Sequence, residues 1–198
     1  SSGLFTHNID LIDNNNNEIL LTFSSDKSSL APGETATITV TADVDGDQVL
    51  GTYSGTVTVT SGSVTDQFNL EIKVRPEICK DGPMGNLAID IDEPESGDDF
   101  SPGDMISVSL DVDNNADDDL DIIVEAILYN IDQDDQVESV ESDSITIDQD
   151  DSDSFDLELQ VPEEDLDSSD DYVLYIKAYE DGNEDEQCTE ESVSLDLK

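Results

Sequence analysis

Apolar and polar residues alternate one for one along this chain in a series of short runs. In the first part, LLTFSS (20–25) leads to a Pro-Gly pair at 32–33, after which Ala36, Ile38, Val40 and Ala42 alternate with polar positions. GTYSGTVTVTSGSVTDQFNLEIKV (51–74) reads as a hairpin: Tyr53, Val57 and Val59 share a face, SGS turns, and Phe68, Leu70, Ile72 and Val74 return. A period of two over four to eight residues predicts a strand with one buried face, and Pro-Gly and Ser-Gly pairs predict the turns. RPEICKDGPMG (75–85) breaks the pattern with two prolines and two glycines.

A second series follows: Leu87, Ile89, Ile91; Ile106, Val108, Leu110, Val112; Leu120, Ile122, Val124, Ala126, Leu128; Phe155, Leu157, Leu159, Val161; Tyr172, Leu174, Ile176, Ala178; and Val193, Leu195, Leu197. VEAILY has some helical character, but no i, i+3, i+4 stripe extends past it, so it is assigned to a strand. The expected fold is all-β: two tandem immunoglobulin-like antiparallel β-sandwiches, over 1–76 and 86–198, joined by a linker at 77–85.

One phrase occurs in both halves. LAPGETATITVTADVDGD (30–47) and FSPGDMISVSLDVDNNAD (100–117) run in the same order: apolar residue, Pro-Gly turn, acid, alternating strand, acidic loop. The expectation is one strand pair used twice in related folds.

Charge changes the setting more than the fold. The chain holds 52 acidic residues against six Lys+Arg, a net charge of -46. Such a balance alone suggests disorder, and the strand pattern argues against it. Residues 1–77 carry 11 acids and three bases, net -8, while 78–198 carry 41 acids and three bases, net -38. Self-repulsion on this scale is relieved by screening or by bound cations. The surface is rich in Asp and poor in Lys, like those of proteins from extreme halophiles. Nucleic acid and anionic membranes are excluded as partners, since no basic patch meets phosphate. No apolar stretch is long enough to span a membrane, and no signal-peptide core is present. The Ser1-Ser2-Gly3 start suggests a mature or trimmed product, and the long apolar N-terminal helix of a type IV pilin is missing. No N-x-S/T glycosylation sequon occurs.

The segment FSPGDMISVSLDVDNNADDDLDIIVEAILYN resembles the CARDB-type and related immunoglobulin-like modules of archaeal and bacterial surface proteins. LAPGETATITVTA and GTYSGTVTVTSG resemble similar modules that follow a Pro-Gly turn. Together the resemblances cover nearly the whole chain. They imply an extracellular, modular, adhesive or structural protein, and they name no ligand because such sandwiches host many functions.

Cys79 and Cys188 flank the second half and belong to no C-x-x-C element, so zinc and redox catalysis lack support. Free thiols and an intermolecular bond remain open; an internal disulfide that clamps the most charged region is the expected state. His7, the single histidine, has no nucleophile motif around it, and carboxylate pairs are too common to mark a glycosidase. Tyr172 faces the core by alternation; Tyr175 and Tyr179 share the other face with Lys177, either as an exposed patch or in ordinary packing. Hard oxygen donors in loops suit Ca²⁺. Candidate ligands are Asp43, Asp45 and Asp47 in DVDGDQ, where the glycine falls too early for an EF-hand, and Asp111, Asp113 and Asp117 in DVDNNADDDLD (111–121). The competing reading of both loops is solvated, salt-adapted surface.

These features point to a non-enzymatic structural or adhesive protein at the cell surface, a subunit of a filament or envelope layer. Its expected partners are copies of itself or other surface proteins. The alternative is a carbohydrate- or calcium-binding module of a larger exported protein. Residues 4–12, with Leu4, Ile9, Leu11 and Ile12, form a strand that would complete either a neighbour's sheet or the chain's own.

Overall fold

The computed structural model describes residues 2–6, 11–13, 16–31, 33–44, 48–61, 64–80, 82, 84–164, 166–183 and 187–198, the side chains of 2–6 and 61 excepted. It divides into unit 1, Ser1–Arg75, and unit 2, Pro76–Lys198. The segment 77–85, expected as a free linker, falls inside unit 2. Cys79 is bonded to Cys188, and Met84 N donates to the Cys188 carbonyl at 2.9 Å.

Unit 1 consists of β1 (Ser2–Thr6), β2 (Leu11–Ile12), β3 (Glu18–Ser25), β4 (Ser29–Leu30), β5 (Ile38–Asp43), β6 (Gly51–Ser61) and β7 (Val64–Val74). Pairing runs β4-β1-β6-β2-β3-β5, with β7 on the other edge of β6. β1 changes partner from β4 to β6 along its length, and β3 changes from β2 to β5. These switches carry one continuous sheet around a core of Leu11, Ile19, Leu21, Tyr53 and Val57, against which Phe23, Val40, Leu70 and Ile72 pack. The N-terminal segment, for which a neighbour's sheet and the chain's own were both open, is paired within its own unit, and Leu11 is fully buried there. Residues 7–10 lie outside the described residues. The hairpin expected over 51–74 forms, with Val57 opposite Phe68. Phe68 nevertheless stays 48% exposed, because β7 pairs only with β6 and stands at the rim.

Unit 2 consists of β8 (Leu87–Glu93), β9 (Asp99–Phe100), β10 (Met105–Asn114), β11 (Leu120–Asn130), β12 (Asp135–Glu141), β13 (Ile145–Ile147), β14 (Ser152–Gln160), β15 (Tyr172–Glu180) and β16 (Thr189–Leu197). One sheet is β14-β10-β8; the other is β12-β11-β15-β16-β9, with β13 also on β11. All pairs are antiparallel except β16 with β9. This partition is that of an immunoglobulin-like Greek-key sandwich. The predicted alternations supply its core: Ile106, Val108, Leu110 and Val112 from one sheet face Ile122, Val124, Leu128, Leu174 and Ile176 from the other. β12 has no clear alternation and escaped the sequence reading. Strand pairing with the edge of β11 determines it.

The repeated phrase is a turn device. In APGE, Gly33 has φ 84°, Glu34 N donates to the Ala31 carbonyl, and the Glu34 carboxylate accepts from Ala31 N at 2.9 Å. In SPGD, Gly103 has φ 87° and Asp104 bonds back to Ser101 N at 2.8 Å. ESGD (95–98) repeats it, with Asp98 accepting from Glu95 N at 2.9 Å. Each turn needs a residue at positive φ, which glycine supplies without a Cβ clash. The following acid closes the turn, so part of the acidity serves local structure.

Candidate functional site

DVDNNADDDLD joins the end of β10 to the start of β11. Asp111 and Asp113 alternate outward with buried Val112, as the pattern predicts, and Asp117 is exposed in the loop. The Asp111 carboxylate accepts from the Ser154 hydroxyl at 2.6 Å, and Asp119 accepts from Gln149 N at 3.0 Å. At the centre of the loop lies Asn114, only 1% exposed. Its Nδ2 donates to the carbonyls of Asp118 and Ile147, both at 3.0 Å, with Asp148 at 3.4 Å. Its Oδ1 accepts from Ala116 N at 2.9 Å, and its own N donates to the Asp151 carbonyl. A neutral amide thus gathers the backbone carbonyls. Among the described residues, no three His, Cys, Asp or Glu side chains converge as a metal would require. Asp43 is exposed at the end of β5; Asp45 and Asp47 lie outside the described residues.

Asn130 does a similar job at the far end of β11. It donates to Asp170 at 2.9 Å and to the Tyr172 hydroxyl at 3.3 Å, and it accepts from Gln133 N. The sequence marks Asn114 as a turn residue able to bond nearby backbone, as its bond with Ala116 N does, but not as a buried organiser of distant carbonyls, and Asn130 was missed. Each occupies an inward position of a strand pattern, which is the available signal. Removing Asn114 leaves buried carbonyls without donors, each costing about 1–3 kcal/mol. Asn114→Ala is therefore expected to lower unfolding free energy by about 2–4 kcal/mol, and Asn114→Asp by more, since a carboxylate would face those carbonyls. Guanidinium titration beside the loop control Asn115→Ala checks this; equal, small losses from both would contradict it.

Two tyrosines near the starts of strands bond back to the backbone just upstream. Tyr53 OH donates to the Val49 carbonyl at 2.7 Å, and Tyr172 OH donates to the Asp167 carbonyl at 3.2 Å. This is the tyrosine corner of immunoglobulin-like sandwiches, present once in each unit. The Asp167 carboxyl is held below its ordinary range by the backbone N–H and hydroxyl of Ser169. Burial pushes the Tyr172 hydroxyl pKa up. Burial, followed by the hydrogen bond to Asp134, raises that of Tyr129 as well. The folded chain therefore keeps these protons where the unfolded chain releases them, near pH 10. Their contribution is complete below pH 10 and is lost as pH rises toward the raised values. Unfolding free energy is expected to fall above pH 10, with a shallower slope in Tyr129→Phe and Tyr172→Phe. Unchanged slopes in both would contradict the assignment.

The opposite face of the β11-β15 sheet carries Lys177. Its ammonium lies 3.2 Å from Glu125 Oε2 and 4.8 Å above the Tyr179 ring, whose hydroxyl bonds Glu141. The strand register also sets Glu190 opposite Lys177. Tyr175 and Tyr179 are 3% and 1% exposed, and Tyr129 meets Tyr175 edge to face at 6.1 Å. Packing, the second of the two expectations for these tyrosines, is what the fold adopts.

An open hollow of about 430 Å³ lies beside β8, β10 and β14, lined by Asp92, Glu93, Ser107, Ser109, Asp156 and Glu158 together with Val108 and Leu157. No aromatic ring lines it, so it offers no sugar-stacking platform, and its carboxylates disfavour anions. His7 lies outside the described residues. Neither cysteine is a free thiol: Cys79 and Cys188 form a disulfide with a Cα–Cα distance of 5.3 Å across 109 residues of sequence.

Fold and site together define a tandem immunoglobulin-like β-sandwich protein with one disulfide-closed unit. Neither a family model nor a curated protein matches the chain. Among solved structures, similarity is found to Spo0M, a sporulation control protein from Bacillus subtilis, at 13% identity and TM-score 0.42, over 57% of this chain and 49% of that one. A Bacteroides uniformis beta-glucuronidase matches at 11% identity and TM-score 0.41, over 56% of this chain and 13% of the enzyme. The C-terminal domain of wzt matches at 16% identity and TM-score 0.39, over 57% and 70%. The chain thus spans about half the length of the Spo0M chain and a small part of the glucuronidase.

Proposed function

We propose that this chain is a structural or adhesive module of an extracellular, cell-surface assembly that works in concentrated salt, with copies of itself or other surface proteins as partners. The observation that carries this reading is the Cys79–Cys188 disulfide in the more acidic unit. Disulfides persist in oxidising compartments, and this one closes the part of the chain with the greatest self-repulsion. Two sandwiches in tandem, each with its own core, support a modular role. The net charge of -46 supports a saline medium. No described helix is long and apolar enough to cross a membrane.

The test is assembly of the purified chain in molar NaCl, followed by sedimentation and negative-stain electron microscopy. Filaments or sheets are the expected result. A monodisperse chain that binds a glycan on an array, or calcium by calorimetry, would replace this reading with that of a binding module.

A further inference from the structure

We infer that the disulfide is a mechanical bypass: tension between the two ends of the chain crosses unit 2 through Cys79, Cys188 and strand β16, and never loads the residues between the cysteines. The inference deepens the proposed surface role, and it rests on that reading only for the origin of the load.

The path follows from where the cysteines fall. The chain enters unit 2 at Pro76 and reaches Cys79 within one short step. The disulfide then carries it across a Cα–Cα gap of 5.3 Å to Cys188, skipping 109 residues of sequence. Immediately after Cys188 the chain becomes β16, Thr189–Leu197, and Lys198 follows. The covalent route from Pro76 to Lys198 therefore contains three short pieces: the lead-in, the disulfide and one strand.

That strand has almost no length to give. A β-strand is already extended at roughly 3.3 Å per residue, close to the reach of the chain. Load enters β16 at Cys188, immediately before its first residue, and leaves at Lys198, immediately after its last. Pulling therefore imposes no sliding between β16 and its antiparallel neighbour β15, nor against β9, which pairs at Asp196 and Leu197. The sandwich built from β8 to β15 hangs on β16 without bearing load.

Without the bond, tension would continue from Cys79 to Leu87 and into β8, which belongs to the other sheet. Non-covalent contacts would then hold that segment to the start of β16 and to the core. Met84 N bonds the Cys188 carbonyl at 2.9 Å, Thr189 Oγ1 bonds the carbonyls of Met84 at 2.8 Å and Leu87 at 3.3 Å, and Met84 and Leu87 pack on the core of unit 2. The bypassed stretch also carries most of the uncompensated negative charge, so it is the part that would swell most readily once pulled open.

Force spectroscopy of the whole chain, with handles at residues 1 and 198, tests this. The oxidised chain is expected to yield the contour length of unit 1, roughly 250–270 Å, and no comparable gain from unit 2. Adding dithiothreitol to the same molecules, or pulling C79S/C188S, should add the length of the bypassed stretch, roughly 360–390 Å at high force. Total contour length is read at high force, so the result holds even if the serine variant is unfolded beforehand. An oxidised chain that extends by the bypassed length overturns the inference, as does a reduced chain that gains nothing. Failure to assemble in molar salt would overturn the surface role and leave this result untouched.

Discussion

Reducing the Cys79–Cys188 bond, or replacing both cysteines by serine, is expected to destabilise unit 2 by about 4–5 kcal/mol. The bond closes 109 residues, and loop-closure entropy rises with the logarithm of that length. Unit 1 gives an internal reference. It buries five core side chains where the core cluster of unit 2 holds twenty among the described residues, so it should unfold first in guanidinium. Two transitions are expected, with only the later one moved by reduction. Repeating the measurement in molar NaCl separates two causes. A chain-entropy effect survives screening, whereas a bond that only contains repulsion loses most of its value there. A loss below about 1 kcal/mol at both salt levels would contradict the entropic account.

Raising NaCl from tens of millimolar to molar is expected to increase the melting temperature of unit 2 by about 10 °C, equivalent to about 2–3 kcal/mol for a unit of this size. Ion pairs among the described residues include Lys27–Glu34 and Lys198–Asp99 at the surface and the half-buried Lys177–Glu125, few beside 52 acidic residues. Specific like-charge contacts remain. β10 and β8 set Asp111 directly opposite Asp90, and β11 and β12 set Glu125 opposite Glu141. Like charges across a strand pair are destabilising, and salt weakens that repulsion at the surface. Asp90→Asn should therefore stabilise the protein at low salt and lose its advantage in molar NaCl. Calcium at matched ionic strength distinguishes screening from site binding. Equal gains from both salts support screening; a larger gain at millimolar calcium would show that carboxylates bind the ion.

Most strands were legible because a sheet face is read every second residue, as at Ile106 to Val112 and Phe155 to Val161. That periodicity says which side is buried without saying what lies across the strand. It therefore placed Tyr175 and Tyr179 opposite the core without deciding between exposure and packing. β12 was missed because DQVESVE lacks a regular apolar alternation; its edge pairing to β11 supplies the order. The acidic loops raised the same difficulty. Asp is so frequent here that a ligand pattern and ordinary surface look alike, while the residue that organises the 111–121 loop is the uncharged Asn114.

The sequence by itself determined the all-β class, the two-part organisation, the excess of negative charge and the repeated Pro-Gly phrase, because each is a local or summed property of the chain. Tertiary structure alone decided that the 77–85 segment belongs to unit 2, that Asn114 and Asn130 hold the ends of β11, that Tyr53 and Tyr172 are corner tyrosines, and that Lys177 stands among carboxylates over a tyrosine ring. The corner tyrosines bond carbonyls only four and five residues upstream, and the path of the intervening loop decides them. The others depend on atoms distant in sequence meeting at hydrogen-bond or packing distance, and no residue spacing records which distant partner will arrive.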